Sequence, residues 1–335
     1  MLLSEPYPQP ELPRDFVGSS PVFLEALALI RRFAPSRAPL LITGESGTGK
    51  ELAALAAHAL SERRGGPFIP VNCGALPDTL VESEFFGHAK GAFTDAIRAR
   101  QGLVRDSEGG TLFLDEIEAL SPRGQVSLLR FLQDASFRSL GEEQRRHGNA
   151  RVVAASNVDL RELADRGVFR ADLLFRLDVL SIRMPPLRER PDDLGPLAAH
   201  LLAKAAQREG GKPKRLAQAA SDLLPSHPWP GNVRELEHVL LRAHLLSTGP
   251  RIEADDLRRC CAALGSAPDG GAPVDIGVLR REKQFAVREV ERRFVERALA
   301  QANGNISEAA RLCKMERATL SRLAKKYRAG APLPA

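Results

Sequence analysis

Two short runs carry residue types that do phosphate chemistry. The first, LLITGESGTGKE, sets a glycine-rich turn directly after an apolar run and before a helical one, and it fits G-x-x-x-x-G-K from Gly44 to Lys50. Glycines at that spacing let backbone N–H groups wrap a phosphate, the start of the next helix adds partial positive charge, and the lysine reaches the terminal phosphates. Gly44, Glu45, Ser46, Gly47, Thr48, Gly49, Lys50 and Glu51 are therefore the candidate nucleotide-binding residues. Glu51 stands where the general motif has Ser or Thr, so the usual hydroxyl ligand to magnesium is missing. The second run, GGTLFLDE, carries Leu112 to Leu114 out to Asp115 and Glu116. An aspartate at a strand end can hold Mg2+, directly or through water, and the next carboxylate can polarise an attacking water. Alone, such a pair is often just a charged strand end. Together with the loop at Gly44 it makes a nucleoside triphosphatase site, with a nucleoside triphosphate and Mg2+ as the expected ligands.

Other polar residues admit two readings each. Asn157 ends the run AASN and either orients water or the terminal phosphate, or serves as a helix cap before VDL. Arg170 and Arg176, in FRADLLFR, are six residues apart and share no clean helix face at 3.6 residues per turn. They are ordinary surface arginines or guanidinium groups that reach a neighbouring subunit's phosphate. In WPGNVRELEHVL, Trp229-Pro-Gly makes a turn, Asn232 can cap, and Arg234 falls in the first turn of an amphipathic helix as a salt-bridge partner or a phosphate sensor.

The elements that must position these residues follow from periodicity. PLLIT, PFIPVN, GTLFLDE and ARVVAASN are strand candidates bounded by Gly, Pro or Asn, separated by helical stretches such as Lys50 to Leu60 and Gln125 to Gln133. Repeated strand–helix units imply a parallel sheet covered by helices on both faces. After MPPLRERPDDL the strands stop, and Leu194 to Cys261 reads as helices only. AALGSAPDGGAPVDIG is a linker, and a helical segment follows it. Pro6 to Pro13 reads as a loosely held arm.

Composition bounds the rest. The chain has 335 residues, 43% hydrophobic and 27% charged, which is ordinary for a globular protein with room for two or three domains. The acidic, proline-rich start is no secretory signal, and no apolar run approaches the roughly 20 residues a membrane span needs. Cys73, Cys260, Cys261 and Cys313 lack metal-ligand spacing and read as reduced thiols of a cytoplasmic protein. The net charge of +6 is concentrated at one end. Val278 to Ala329 holds 14 Lys and Arg against 6 Asp and Glu, while the remainder holds 34 against 36. That imbalance points to nucleic acid, although a solvated basic helix has the same composition.

The tail has internal order. Asn303-Gly-Asn stops one helix, Ile306 to Cys313 makes a short one, and after a turn near Lys314 Arg317 to Lys326 makes another. Ala309, Ala310, Cys313, Met315, Leu320 and Leu323 fall where a helix-turn-helix buries its interior. Arg317, Thr319, Ser321, Arg322, Lys325 and Lys326 face outward, a mix suited to base edges and phosphates of double-stranded DNA. A basic three-helix bundle for protein contact is the alternative. Leu279, Ala286, Val290 and Phe294 share one helix face that packs within the domain or pairs two subunits.

GESGTGKE, FFGHAKGAFTDA, GGTLFLDE, FRADLLFRL, PPLRER and WPGNVREL occur here in the order seen in the NtrC-class bacterial enhancer-binding proteins, AAA+ ATPases that activate sigma-54 RNA polymerase. The resemblance runs from about Val17 to Arg259, and the tail resembles the Fis-type domain that ends many such proteins. It implies an α/β fold, an AAA+ P-loop parallel sheet with a helical lid subdomain, plus a C-terminal all-α helix-turn-helix domain. The expected boundaries are an arm at 1–16, the α/β subdomain at 17–190, the lid at 191–262, a linker at 263–277 and the helix-turn-helix at 278–329. By motif, Lys50 is implied to bind phosphate and Asp115 with Glu116 to serve magnesium and water activation. Asn157 and Arg234 would be the two sensors, and Asn72, in PVNCGAL, the asparagine that restrains the catalytic glutamate. Arg170 and Arg176 would be fingers acting in trans, which requires a homo-oligomer, a hexameric ring in this family. Glu51 is itself typical of the class. The family's GAFTGA loop projects into the ring's pore and touches sigma-54. Here Gly91, Ala92, Phe93, Thr94, Asp95 and Ala96 would make that contact, with Asp95 in the place of a glycine.

The chain thus reads as an ATP-hydrolysing transcription activator that binds a roughly palindromic upstream site and remodels sigma-54 polymerase. Only about 40 residues precede the first strand, too few for a receiver domain, so control is expected from a trans-acting partner, expression level or DNA-driven assembly. A DNA-binding repressor or scaffold that binds nucleotide without activating polymerase is the alternative, and Asp95 favours it. An AAA+ DNA remodeller such as a helicase loader fits less well, because a strand-translocating pore favours basic residues over GAFTDA.

Overall fold

A computed structural model describes residues 12–92, 96, 98–261, 263–264, 295, 298–299, 302, 305–313, 315 and 317–328, with 318, 323 and 325–328 described as backbone only. The chain divides into two compact units, Met1–Ala267 and Pro268–Ala335.

The first unit is built on five parallel strands: β1 (Leu40–Thr43), β2 (Phe68–Asn72), β3 (Thr111–Asp115), β4 (Arg151–Ser156) and β5 (Leu180–Arg183), in the order β2-β3-β4-β1-β5. The first four are the strands expected from the apolar runs. The fifth is a correction, since LSIR is short and only half-buried and carries no signal of its own. Strand residues alternate between two cores. Leu41, Leu112, Leu114, Val152 and Ala154 pack with Phe85, Leu128, Phe131 and Leu173 on one face. Leu40, Ile42, Phe113, Val153, Ala155 and Ile182 pack on the other with α1 (Pro21–Phe33) and α2 (Lys50–Ala59). In α2 the contacting residues are Ala53, Ala54, Ala56 and Ala57, whose small side chains let the helix lie close to the sheet. The strand order reverses beside β1, and the carboxyl ends of β1, β3 and β4 open there, the place where α/β sheets hold ligands.

Arg151, the first residue of β4, is 1% exposed, and its guanidinium donates to the carbonyls of Ala34 (2.6 Å) and Phe33 (2.9 Å). It closes the C-terminal end of α1 with a positive charge, where the helix dipole favours one. Burial, with Arg63 nearby, pulls its pKa down to about 10. The end of the proline-rich arm is better held than composition suggests. Leu12 packs against the α1 core, and Asp15 accepts from His200 (2.8 Å) and Lys204 (3.2 Å).

Past the hinge Pro186–Asp193, four helices, Leu194–Glu209, Gln218–Ser221, Asn232–Leu246 and Ala254–Cys260, enclose a core around Trp229. This region is not helices only. Arg215–Leu216 pairs in parallel with Arg251–Ile252, a two-residue bridge too short to leave a periodic trace. Among the described residues no helix is long and apolar enough to cross a membrane.

The second unit contains the helices Ile306–Leu312 and Arg317–Arg328. Asn305 caps the first by accepting from the amides of Ser307 (3.0 Å) and Glu308 (3.3 Å). Among the described residues the buried ones are Val295, Ala298, Ala302, Ala309, Ala310, Leu320 and Ala324, mostly small side chains that bring the helices close. Cys313 and Met315 are half-buried, whereas the expected Leu323 and Lys314 and the stripe Leu279, Ala286, Val290 and Phe294 lie outside the described side chains.

Candidate functional site

The phosphate loop bridges β1 and α2 as expected. Gly47 needs to be glycine twice over: its φ is +78°, and a Cβ there would sit 2.3 Å from the carbonyl oxygen of Gly231. Lys50 Nζ donates to the carbonyls of Gly44 (2.7 Å) and Glu45 (3.0 Å), so its ammonium lies across the loop. Burial holds that ammonium below its ordinary pKa, opposed by the carboxylates of Asp115, Glu118 and Glu116. Thr48 Oγ1 donates to the Glu45 carbonyl (2.9 Å).

One cleft of about 240 Å³ is lined by Ser46, Gly47, Gly49, Lys50, Glu51, Asp115, Glu116, Asn157 and Arg234, together with Leu52, Val233 and Glu237. Residues from four separate segments thus share one site. Asp115 ends β3 in register with Asn72 of β2. Glu116 follows in the left-handed region at φ +52°, which turns the chain at the sheet edge. Asn157 follows β4, and its amide donates to Glu118 Oε1 (3.3 Å); the cap of the next helix is Asp159 instead. Glu118 Oε2 is buried with no hydrogen-bond partner. Asp115 and Glu116, which line the cleft, offer hard carboxylate oxygens of the kind that suits Mg2+.

Arg234 Nη1 donates to Ser46 Oγ (3.1 Å). Asn232 is no helix cap. It is the first residue of its helix, fully buried at φ +52°, and its side chain reaches the hinge and the phosphate loop instead of the helix's own amides. Asn72 accepts from the amide of Gly74 (2.8 Å). Arg170 and Arg176 lie outside the cleft: Arg170 pairs with Asp172 (2.8 and 3.0 Å), and Arg176 is exposed in the last turn of the helix Ala171–Leu177, beside Phe175 at 81% exposure.

Sequence reasoning passed over Glu118, Arg188 and Arg190. No spacing rule connects them to the loop, although Arg188 and Arg190 lie in the PPLRER run. It also gave the cysteines no ligand set, whereas the fold brings Cys261 within 4.8 Å of His227 and Glu235. His227 Nδ1 accepts from the amide of Trp229 (3.2 Å), so Nε2 carries the proton and faces Glu235 at 3.1 Å. Through these two contacts His227 and Glu235 brace the turn at Trp229.

Gly87–His88 pairs with Arg100–Gln101, and the Gly91 amide donates to the carbonyl of Ala96 (2.8 Å), which closes the base of the GAFTDA loop. Leu140 bonds both Gly87 and Ala89, bracing that base. Phe93, Thr94 and Asp95 lie outside the described residues. In the second unit Arg317, Ser321 and Arg322 are exposed and Thr319 is half-buried, while Lys325 and Lys326 lie on the helix with their side chains undescribed.

Residues 16–183 match the sigma-54 interaction domain family, 188–269 the AAA+ ATPase lid domain, and 286–327 the Fis family of bacterial regulatory proteins. The chain belongs to the sigma-54-interacting AAA+ family. This family member is 49% identical over 239 residues to a Nif-specific regulatory protein of Azotobacter vinelandii, covering 71% of this chain and 46% of that one. It is 40% identical over 336 residues to the transcriptional regulatory protein FlbD of Caulobacter vibrioides, covering 96% of this chain and 72% of the relative. The crystal structure of NtrX from Brucella abortus in complex with ADP superposes with a TM-score of 0.68 at 31% identity, covering 93% of this chain and 69% of that one. The chain spans less than half the length of the Nif-specific regulators it matches.

Proposed function

We propose that this chain is an ATP-hydrolysing transcription activator of the cytoplasm that binds upstream DNA and remodels sigma-54 RNA polymerase. The observation that carries the reading is the meeting of the phosphate loop, Asp115–Glu116, Asn157 and Arg234 in one cleft, in a chain that continues into a Fis-type domain. In this reading residues 17–190 and 191–262 form the engine, 263–277 a linker and 278–329 the DNA-binding domain, after an arm at 1–16.

The roles follow from charge and position. Amides of Gly44 to Glu51 wrap the phosphates while Lys50 neutralises the terminal ones. Asp115, with the hard oxygens near it, would hold Mg2+, which supplies charge neutralisation on the phosphates when bound. Glu116 takes a proton from the attacking water, and Asn72, at the end of the adjacent strand, restrains it. Asn157 and Arg234 read the terminal phosphate from the sheet and the lid. Arg170 and Arg176 lie outside their own cleft, which favours service to a neighbouring copy's phosphate, and hence a homo-oligomeric, hexameric ring.

Ring movement would then drive Gly91–Ala96, with Phe93 and Thr94 at its tip, against sigma-54. Arg317, Thr319, Ser321, Arg322, Lys325 and Lys326 would read double-stranded DNA as paired domains on a roughly palindromic site. Asp95 favours a second reading, a repressor or scaffold that binds nucleotide without activating polymerase, because its charge would repeat in every subunit around a pore.

The test is open-complex formation by sigma-54 polymerase on a supercoiled promoter, with this protein and either ATP or a non-hydrolysable analogue. Opening only with ATP is expected. Hydrolysis without opening, rescued by Asp95→Gly, would give the second reading the lead.

A further inference from the structure

A carboxylate in a phosphate loop works against its purpose, because its negative charge opposes phosphate binding through space even from the back of the loop. Glu45 is that carboxylate, and its surroundings show how it is managed. Arg188 of the hinge grips it with two parallel bonds, Nη1 to Oε2 at 2.7 Å and Nη2 to Oε1 at 2.5 Å. Asn232 Nδ2 adds a third at 3.2 Å. Hydrogen bonding to Arg188 pulls the carboxyl down to about 2, so it stays ionised and paired.

The same two segments hold the back of the loop residue by residue. The Ser46 carbonyl accepts from Asn232 Nδ2 (3.0 Å), the Gly47 carbonyl from the Val233 amide (3.0 Å), and the Thr48 carbonyl from Arg190 Nη2 (3.2 Å). Arg190 is itself buried, with its guanidinium 5.3 Å from the ring centre of Phe23. Asn232 Oδ1 accepts from the amide of Leu187 (2.8 Å), which joins the hinge to the first turn of the lid helix. A strained φ at a buried residue persists only when its neighbours fix it, and here the neighbours are the loop and the hinge. Loop and lid therefore form one bonded assembly, and neither can reorient without breaking it.

We propose that Arg188, Glu45 and Asn232 form a latch that neutralises the loop's own carboxylate and couples phosphate occupancy to the orientation of the lid. Glu45 is a positioning residue in this scheme, and the proposal rests on the nucleotide-binding reading above. When the lid swings, Arg188 leaves, and an unpaired carboxylate repels the phosphates. By reciprocity, bound phosphates hold the lid in its latched position.

The test is a double-mutant cycle of Glu45→Gln and Arg188→Met, read as affinity for a fluorescent ATP analogue and as amide exchange in nucleotide-free protein. Arg188→Met should weaken the analogue about fivefold, the upper end of what a half-exposed ion pair supplies. The double variant should return to within about twofold of wild type, because no carboxylate is left to neutralise. Exchange at Val233 and the following turn should rise in both. An unchanged affinity in Arg188→Met, or a double variant as weak as the single, would overturn the latch. If the wild type binds no nucleotide, the ATPase reading falls, and unchanged exchange at Val233 in Arg188→Met would then sink the latch separately.

Discussion

Asn72 and Glu116 converge on the face of Gly74 where a side chain would stand: a Cβ at Gly74 would lie 3.0 Å from Glu116 Oε2 and 3.2 Å from Asn72 Oδ1. Both contacts are tighter than ordinary van der Waals separation, so Gly74→Ala must displace one or both side chains. Hydrolysis should fall about tenfold with ATP affinity little changed, as for a misplaced base. Glu116→Ala should abolish turnover, a loss of at least about a hundredfold, while nucleotide binding survives. Steady-state hydrolysis beside equilibrium binding reads both, and unchanged turnover in Glu116→Ala would overturn the assignment of the base.

Gly47→Ala acts on the other wall of the cleft. It forces a side chain into φ +78° and drives a Cβ to 2.3 Å from the Gly231 carbonyl. The expected cost is about 1–2 kcal/mol from the backbone conformation alone, with further loss as the lid is wedged away. Urea unfolding and ATP titration should both show it. A variant as stable as the wild type would mean that the loop and lid do not meet as described.

The Glu45–Arg188 pair carries a pH signature. The folded carboxyl sits at about 2 against an ordinary 4.5, so its contribution to stability is present above pH 4.5 and fades as pH falls towards 2. Both side chains are more than two-fifths exposed, so solvent and salt screen that contribution. The stability gap between wild type and Glu45→Gln should be open at pH 7, narrower at pH 3, and smaller at high salt. A gap that widens on acidification would contradict the pairing.

Arg322 is exposed on the second helix of the basic unit. If it meets a phosphate, Arg322→Ala should weaken binding to all duplexes alike and lower the salt slope by about 1; if it meets a base edge, discrimination should relax by about 1–3 kcal/mol at one position. Titrations at several salt concentrations separate the two, and loss of neither would remove this helix from the interface.

Much of this molecule is written locally in its chain. The strand–turn–helix at Gly44–Lys50, the carboxylates closing β3 and the capped helix after Asn305 are each set within about ten residues. The consecutive apolar residues of LLI, LFL and VVAA likewise mark strands buried on both faces. Other features have no local trace. LSIR becomes a strand because β1 offers it an edge. Arg188 finds Glu45 143 residues away, Asn232 gives up capping to hold the phosphate loop, and Cys261 comes to lie beside His227. Periodicity and turn chemistry act between near neighbours, so the sequence by itself determined the elements and the residues at their ends. Which ends meet, and which charges neutralise one another, depends on how the elements pack, and that was decided only by the tertiary structure.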